Sequence, residues 1–180
     1  VSLLCFALLF IAANDFTSIQ KKMDDIVNDR LKPGARVYMP QRELLAYEQA
    51  QAVAIAPKAV HNVTLELREG AGTSSAAIDF LELNKARGGQ SNWLMDQILA
   101  GERLVKVSLR VQTRDGKARV DVERVEIGGA AMQGSALDFL IQNYVLPQFP
   151  NAKVDQWFPL EHRMDRIEIH PDGVTVVMAK

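Results

Sequence analysis

The clearest pattern along the chain is a two-residue alternation of apolar and polar positions. Val105, Val107, Leu109 and Val111 alternate with Lys106, Ser108, Arg110 and Gln112, Asp115-Gly116 supplies a tight-turn signal, and Ala118, Val120 and Val122 return. Side chains of a strand point to opposite faces in turn, so this period predicts a hairpin with one apolar face. The apolar phase then slips by one, because Val125 and Ile127 follow Val122 across Glu123-Arg124. A bulge there keeps both sets on the buried face; without it the strand ends near Glu123.

Two more hairpins are predicted in the same way. Val63, Leu65 and Leu67 lead into a turn at Glu69-Gly70-Ala71-Gly72-Thr73 and a return strand with Ala76, Ile78 and Phe80 on one face. Ile167 and Ile169 lead through His170-Pro171-Asp172-Gly173 to Val174, Val176 and Met178.

Elsewhere the period lengthens to three or four. Phe16, Ile19, Met23, Ile26, Val27 and Leu31 mark an amphipathic helix stopped by Pro33-Gly34. The stretch Val37-Tyr38-Met39 is extended, and after Pro40 a second helix runs from Gln41 to about Gln51 with Leu44, Leu45 and Tyr47 inward. Two further helices are expected over Ser91–Ala100, capped by Ser91 and stopped by Gly101, and over Ser135–Leu146, ended by Pro147. The segment from Pro147 to Pro159 reads as a loop packed on the domain through Phe149, Trp157 and Phe158.

These elements predict an α+β fold, an antiparallel and curved sheet of successive hairpins packed against short amphipathic helices. Residues 14–180 form one domain of about 167 residues, enough to bury a core without a second domain. The opening Val1–Ala13 is apolar and turns polar at Asn14-Asp15, the form of a signal-peptide core lacking its basic start. Cleavage after Ala13 is the favoured reading, with an uncleaved membrane anchor as its rival and a buried first helix as the third option. The only cysteine, Cys5, sits inside this run rather than at its end, which argues against lipidation, and a processed chain has no thiol. Export places the protein in the periplasm or outside the cell, and an uncleaved N-terminal segment would associate it with the membrane.

Charge and chemistry narrow the picture by exclusion. With 21 basic and 22 acidic residues and a net charge of -1, no global field attracts a polyanion, so nucleic acid is not the expected partner. His61, His162 and His170 have no metal-ligand spacing; only His162, near Glu161 and Asp165, is placed for a base. Gly70–Ser75 lacks the ending of a phosphate loop, and no serine sits in a nucleophile elbow. Asp79, Glu82, Glu123, Glu126 and Asp138 could supply an acid-base pair, but alternation puts most of them on polar strand faces. No catalytic residue, metal or cofactor is expected.

Apolar and aromatic residues remain. Trp93, Leu94 and Ile98 on one helix, Phe139, Leu140 and Tyr144 on another, and Trp157 with Phe158 in the loop either pack as plain core or line an apolar cleft.

The order of Trp93–Gly101, the Asp115-Gly116 hairpin, Val120–Gly129, the helix Ala136–Ile141 and the final Ile167–Val174 resembles bacterial secreted proteins of the LmeA type over residues 60 to 180. Those are lipid-associated envelope proteins. The resemblance implies an exported protein that binds a lipid or other amphiphile, with a sheet partly wrapped around helices and no catalytic residues to transfer. The long Tyr144–Pro159 segment departs from that pattern. The leading expectation is therefore a non-enzymatic envelope protein holding an apolar ligand. A structural or protein-interaction module that recruits its partner by an exposed edge strand comes second, and a hydrolase with dispersed residues third.

Overall fold

In the computed structural model the described residues are 2–86, 101–142 and 155–180, with side chains described from Asn14 onward except at residues 55 and 140. The chain begins α1 (Ser2–Val27), β1 (Arg36–Pro40), α2 (Gln41–Ile55), β2 (Val60–Arg68), β3 (Ala71–Asp79) and α3 (Phe80–Ala86). It continues β4 (Glu102–Arg114), β5 (Lys117–Ile127), β6 (Ala130–Ala131), α4 (Gly134–Leu140), β7 (Trp157–Pro159), β8 (Met164–His170) and β9 (Gly173–Met178). The class is α+β and every described strand pair is antiparallel. The expected single sheet is two sheets. One has the order β1-β9-β8; the larger runs β2-β3-β4-β5-β6, with β7 also paired to β5.

The β4–β5 hairpin follows the sequence pattern closely. Asp115 and Gly116 both have left-handed φ, 49° and 68°, the mirror-image turn whose twist matches the strands it joins. Ser108 pairs with Arg124 and Leu109 with Val122, so Glu123 is the extra residue of a bulge. It lets Val125 be buried while Val122 keeps the same face. The β2–β3 turn is tighter than the expected five-residue loop: Arg68 pairs with Ala71, leaving only Glu69 and Gly70 between the strands. Gly72 and Thr73 belong to β3.

Phe80 does not continue that strand. Asp79 Oδ1 accepts the backbone N–H groups of Leu81 and Glu82 at 3.0 and 3.1 Å, capping α3, which buries Phe80 and Leu83.

α1 is one continuous helix joining the apolar opening to the amphipathic stretch. It stops at Val27, ahead of the expected Leu31 and of Pro33-Gly34. Asn28 Nδ2 donates back to Asp24 O at 2.8 Å, and Asp29 turns left-handed at φ 53°. Arg163 then holds this exit, donating to Asp29 Oδ1 and to the carbonyls of Asp29 and Leu31. Among the described residues no helix is long and apolar enough to cross a membrane.

α2 extends past the expected Gln51 to Ile55, where the Ala56 N–H closes on Ala52 O and Pro57 prevents another turn. The expected helix over Ser91–Ala100 lies outside the described residues. The helix expected from Ser135 starts at Gly134, with Gln133 at the cap position and no side-chain hydrogen bond closing it. The far end of the Pro147–Pro159 loop is strand β7.

Two apolar clusters hold the layers together. Ile19 and Ile26 of α1 meet Met39, Val176 and Met178 of the smaller sheet, with Leu44 and Tyr47 of α2 packed against them. At the other end Ala56, Ala59, Phe80 and Leu83 gather Val60, Ile78, Val105 and Ile127. The sheets meet where both hairpin tips reach β8. Gly70 N donates to Ile169 O and Gly116 N to Asp165 O, both at 3.0 Å. Thr113 Oγ1 donates to Ile167 O at 2.9 Å and accepts from Ile167 N at 3.1 Å, standing in for a strand partner.

Candidate functional site

Strand alternation gives the larger sheet two unlike faces. The outer face carries charge held in pairs: Glu123 with Arg68 and Arg110, Asp121 with Arg119, and Glu126 with Arg124. Thr73 and Ser108 bond across it at 2.9 Å. The inner face is apolar along β4 and β5. Its rows are Val105 with Ile127, Val107 with Val125, Leu109 with Val122, and Val111 with Val120.

The two ends of this inner face are closed differently from its middle. At one end Val105 and Ile127 pack against the Phe80–Leu83 cluster. At the other, Thr113 is stitched to β8 and Ala118 is buried. Between them Val107, Leu109, Val111, Val120 and Val122 are only half-buried, whereas Val125 beside them is buried. Five adjacent aliphatic side chains on two paired strands thus keep part of their surface in contact with solvent.

α2 borders this face on the β2 side. Gln41 Nε2 donates to Leu65 O at 2.6 Å and Gln49 Nε2 to Val63 O at 3.3 Å. Because the hairpin-closing pair is Arg68 with Ala71, these carbonyls point away from β3, so the two glutamines cover the edge of β2. Glu48, between them, reaches over the sheet and its carboxylate accepts from Ser74 Oγ at 3.0 Å. Ser74 is paired with Leu65 on one side and Val107 on the other. Burial pushes the Glu48 carboxyl above its usual range, and the Ser74 hydrogen bond only partly opposes this.

The aromatic residues singled out by sequence divide. Phe158 pairs with Ala118 and shares the inner face. Trp157, its neighbour in β7, pairs with Arg119 and points to the outer side, where the Arg114 guanidinium lies 4.4 Å from the ring centroid. The two therefore do not line one pocket. Phe139 on α4 is 40% exposed. Leu140 is the last residue of α4, and its side chain is not among those described. Trp93, Leu94, Ile98 and Tyr144 lie outside the described residues.

The polar candidates are accounted for locally. Asp79 caps α3, Glu82 pairs with Lys85 at 2.8 Å, and Glu123 and Glu126 sit in arginine pairs. Asp138 is exposed on α4. His61 Nε2 meets Lys58 O, and His170 bridges to Glu69 at 3.0 Å across the seam between the sheets. That bridge holds the His170 imidazole above its usual range. His162 lies with Arg163 in a left-handed turn, 3.8 Å from the Glu161 carboxylate. Among the described residues no three His, Cys, Asp or Glu side chains are grouped to hold a metal.

Two described concavities are lined by charge. One, of about 290 Å³, lies between Arg114, Asp115, Lys117 and Trp157. The other, of about 570 Å³, is bordered by Arg36, Asp165, Arg166 and Lys180. Arg166 and Arg36 there are held by Glu168 and Asp165, so their charge is already matched.

Sequence reasoning missed Glu48. A carboxylate is ordinarily assigned to solvent, yet Glu48 is three residues after Leu45 and seven after Gln41, in the stripe of α2 that meets the larger sheet. That spacing was the available signal. No family model, curated protein or solved structure matches the chain.

Proposed function

We propose that the protein is a non-enzymatic component of the cell envelope that holds a lipid-like or other apolar ligand against the inner face of the larger sheet. The observation that carries this reading is the half-buried aliphatic stretch Val107, Leu109, Val111, Val120 and Val122. Aliphatic surface of this kind gains about 25 cal/mol for each Å² removed from water, and an acyl chain laid along the strands would remove it. Phe158 borders the same face near the seam. The apolar opening of the chain and the resemblance to LmeA-type proteins support an exported, envelope-associated protein.

The structural or interaction-module reading relied on an exposed edge strand. The covering of β2 by Gln41 and Gln49, and the pairing of β5 with β7 at one end and β6 at the other, count against recruitment through those edges. Of the carboxylates weighed for a hydrolase, Asp79 caps α3 and Glu82, Glu123 and Glu126 sit in ion pairs.

Replacing Leu109 and its cross-strand partner Val122 by threonine tests the reading, because threonine keeps strand propensity while removing apolar surface. Affinity for a fluorescent acyl or phospholipid probe should fall about tenfold, the equivalent of roughly 50 Å² of lost apolar contact. Both sites are partly buried, so the urea midpoint should fall as well, and binding is compared under conditions where the variant is fully folded. Probe binding unchanged in the double variant would remove the inner face as the site.

A further inference from the structure

Among the described residues, the charged group that α2 brings to the border of the inner face is Glu48, and it lacks a countercharge. Among the described residues no Lys, Arg or His lies within ion-pair distance of Glu48; its partner is the neutral Ser74 hydroxyl. The contrast with Glu43, on the same helix, is direct. Glu43 is more deeply buried than the half-buried Glu48, but Lys22 Nζ sits 2.7 Å from its Oε2 and Ser18 Oγ 2.9 Å from its Oε1. The strand carboxylates Asp121, Glu123, Glu126 and Glu168 each have an arginine. A carboxylate withdrawn from water without a cation is costly, and the raised protonation range of Glu48 reflects this. The position also lies in the sheet-facing stripe of α2, where an apolar residue would pack at no such cost.

We propose that the ligand of the inner face is a cationic amphiphile, its ammonium head received by the Glu48 carboxylate and its apolar chain lying over Val107, Leu109 and Val122. This rests on the reading of the inner face as an amphiphile site. The register makes the placement direct: Ser74, which holds Glu48, is paired with Val107, and Val107 lies two residues from Leu109 on the same face. An ammonium group offers three donors and a full charge. In a partly desolvated site that charge is worth several times what it is in water, whereas a carboxylate head would meet like charge.

The test compares three ligands with the same twelve-carbon chain at neutral pH: dodecylamine, protonated at that pH, dodecanol and dodecanoate. The native protein should bind the amine about tenfold more tightly than the alcohol and the carboxylate most weakly. Glu48→Gln should bring the amine and the alcohol to within about twofold and improve dodecanoate. Ser74→Ala, which removes the tie to the sheet and keeps the charge, should retain the preference for the amine. If the native protein binds all three equally, or if Glu48→Gln weakens all three equally, Glu48 only fastens α2 and the cationic head is wrong while the apolar site stands. If the native protein binds none of them, the inner-face reading itself fails.

Discussion

Replacing Gly173 by alanine should be among the most damaging single-methyl changes in the protein. Gly173 was expected as a turn residue after Pro171-Asp172, but its φ is not left-handed; what demands glycine is the closeness of β1. A Cβ there would stand 2.5 Å from Met39 O, 2.8 Å from Tyr38 Cε2 and 3.0 Å from Pro40 Cα. An ordinary carbon-to-oxygen contact is about 3.3 Å or more, so the β1 backbone must retreat by nearly an ångström at its pairing with β9. The Tyr38 ring, 44% exposed, can swing by giving up its hydroxyl bonds to Asp172, but Met39 O and Pro40 Cα are backbone, and the Met39 side chain is in the core. Overpacking of this kind costs about 1–3 kcal/mol, and the constraint on both sides of Met39 puts Gly173→Ala in the upper half. In urea, with a slope of about 2 kcal/mol per molar, the midpoint should fall by roughly 1 M at unchanged slope. Tyr38→Ala combined with Gly173→Ala should recover only a minor part. An unchanged midpoint in the single variant would mean that β1 does not approach β9 at Pro40 as closely as the register requires.

Gly116→Val should destabilise by about 1 kcal/mol or more, because the left-handed φ of 68° is strained for a β-branched residue even though its nearest new contact, Met164 O, is an ordinary 3.8 Å away; an unaltered melting curve would place the turn elsewhere. Asp79→Ala should cost about 1 kcal/mol by uncapping α3, read as a lower urea midpoint that Asp79→Asn largely restores. For Glu48, whose protonation range is raised in the fold, the stabilising contribution is complete below the unfolded carboxyl range and is lost as pH rises through the raised folded value. Glu48→Gln should therefore gain on the native protein as pH climbs above about 4, and parallel stability profiles for the two would contradict the burial of that carboxylate.

The hairpins were legible because their signal is local: a two-residue period, a turn dipeptide, and at Glu123 a slip of phase that only a bulge reconciles with a single buried face. What could not be read is long-range pairing. Nothing near Val37-Tyr38-Met39 indicates that its partner is Val174–Val177, at the other end of the chain, and that pairing splits the expected single sheet into two. Asp79 was read as a polar-face residue because the strand period runs through it, although Asp-Phe-Leu-Glu is equally a helix start. For the site, composition pointed to aromatics, yet one strand step separates Trp157 from Phe158 and sends them to opposite faces. The aliphatic stretch on β4 and β5 was visible as alternation but read simply as core. Its half-exposure depends on how helices and loops distribute over the sheet, which the period of a strand does not encode.

The most direct test of the account is native mass spectrometry of the protein, purified from its own cells without detergent exchange and compared with the Leu109→Thr/Val122→Thr variant prepared identically. The account predicts that the native protein carries an amphiphile at close to one per chain, released on unfolding, and that the variant carries far less. A native protein that flies at its bare polypeptide mass, and takes up no acyl probe when offered one, would contradict it.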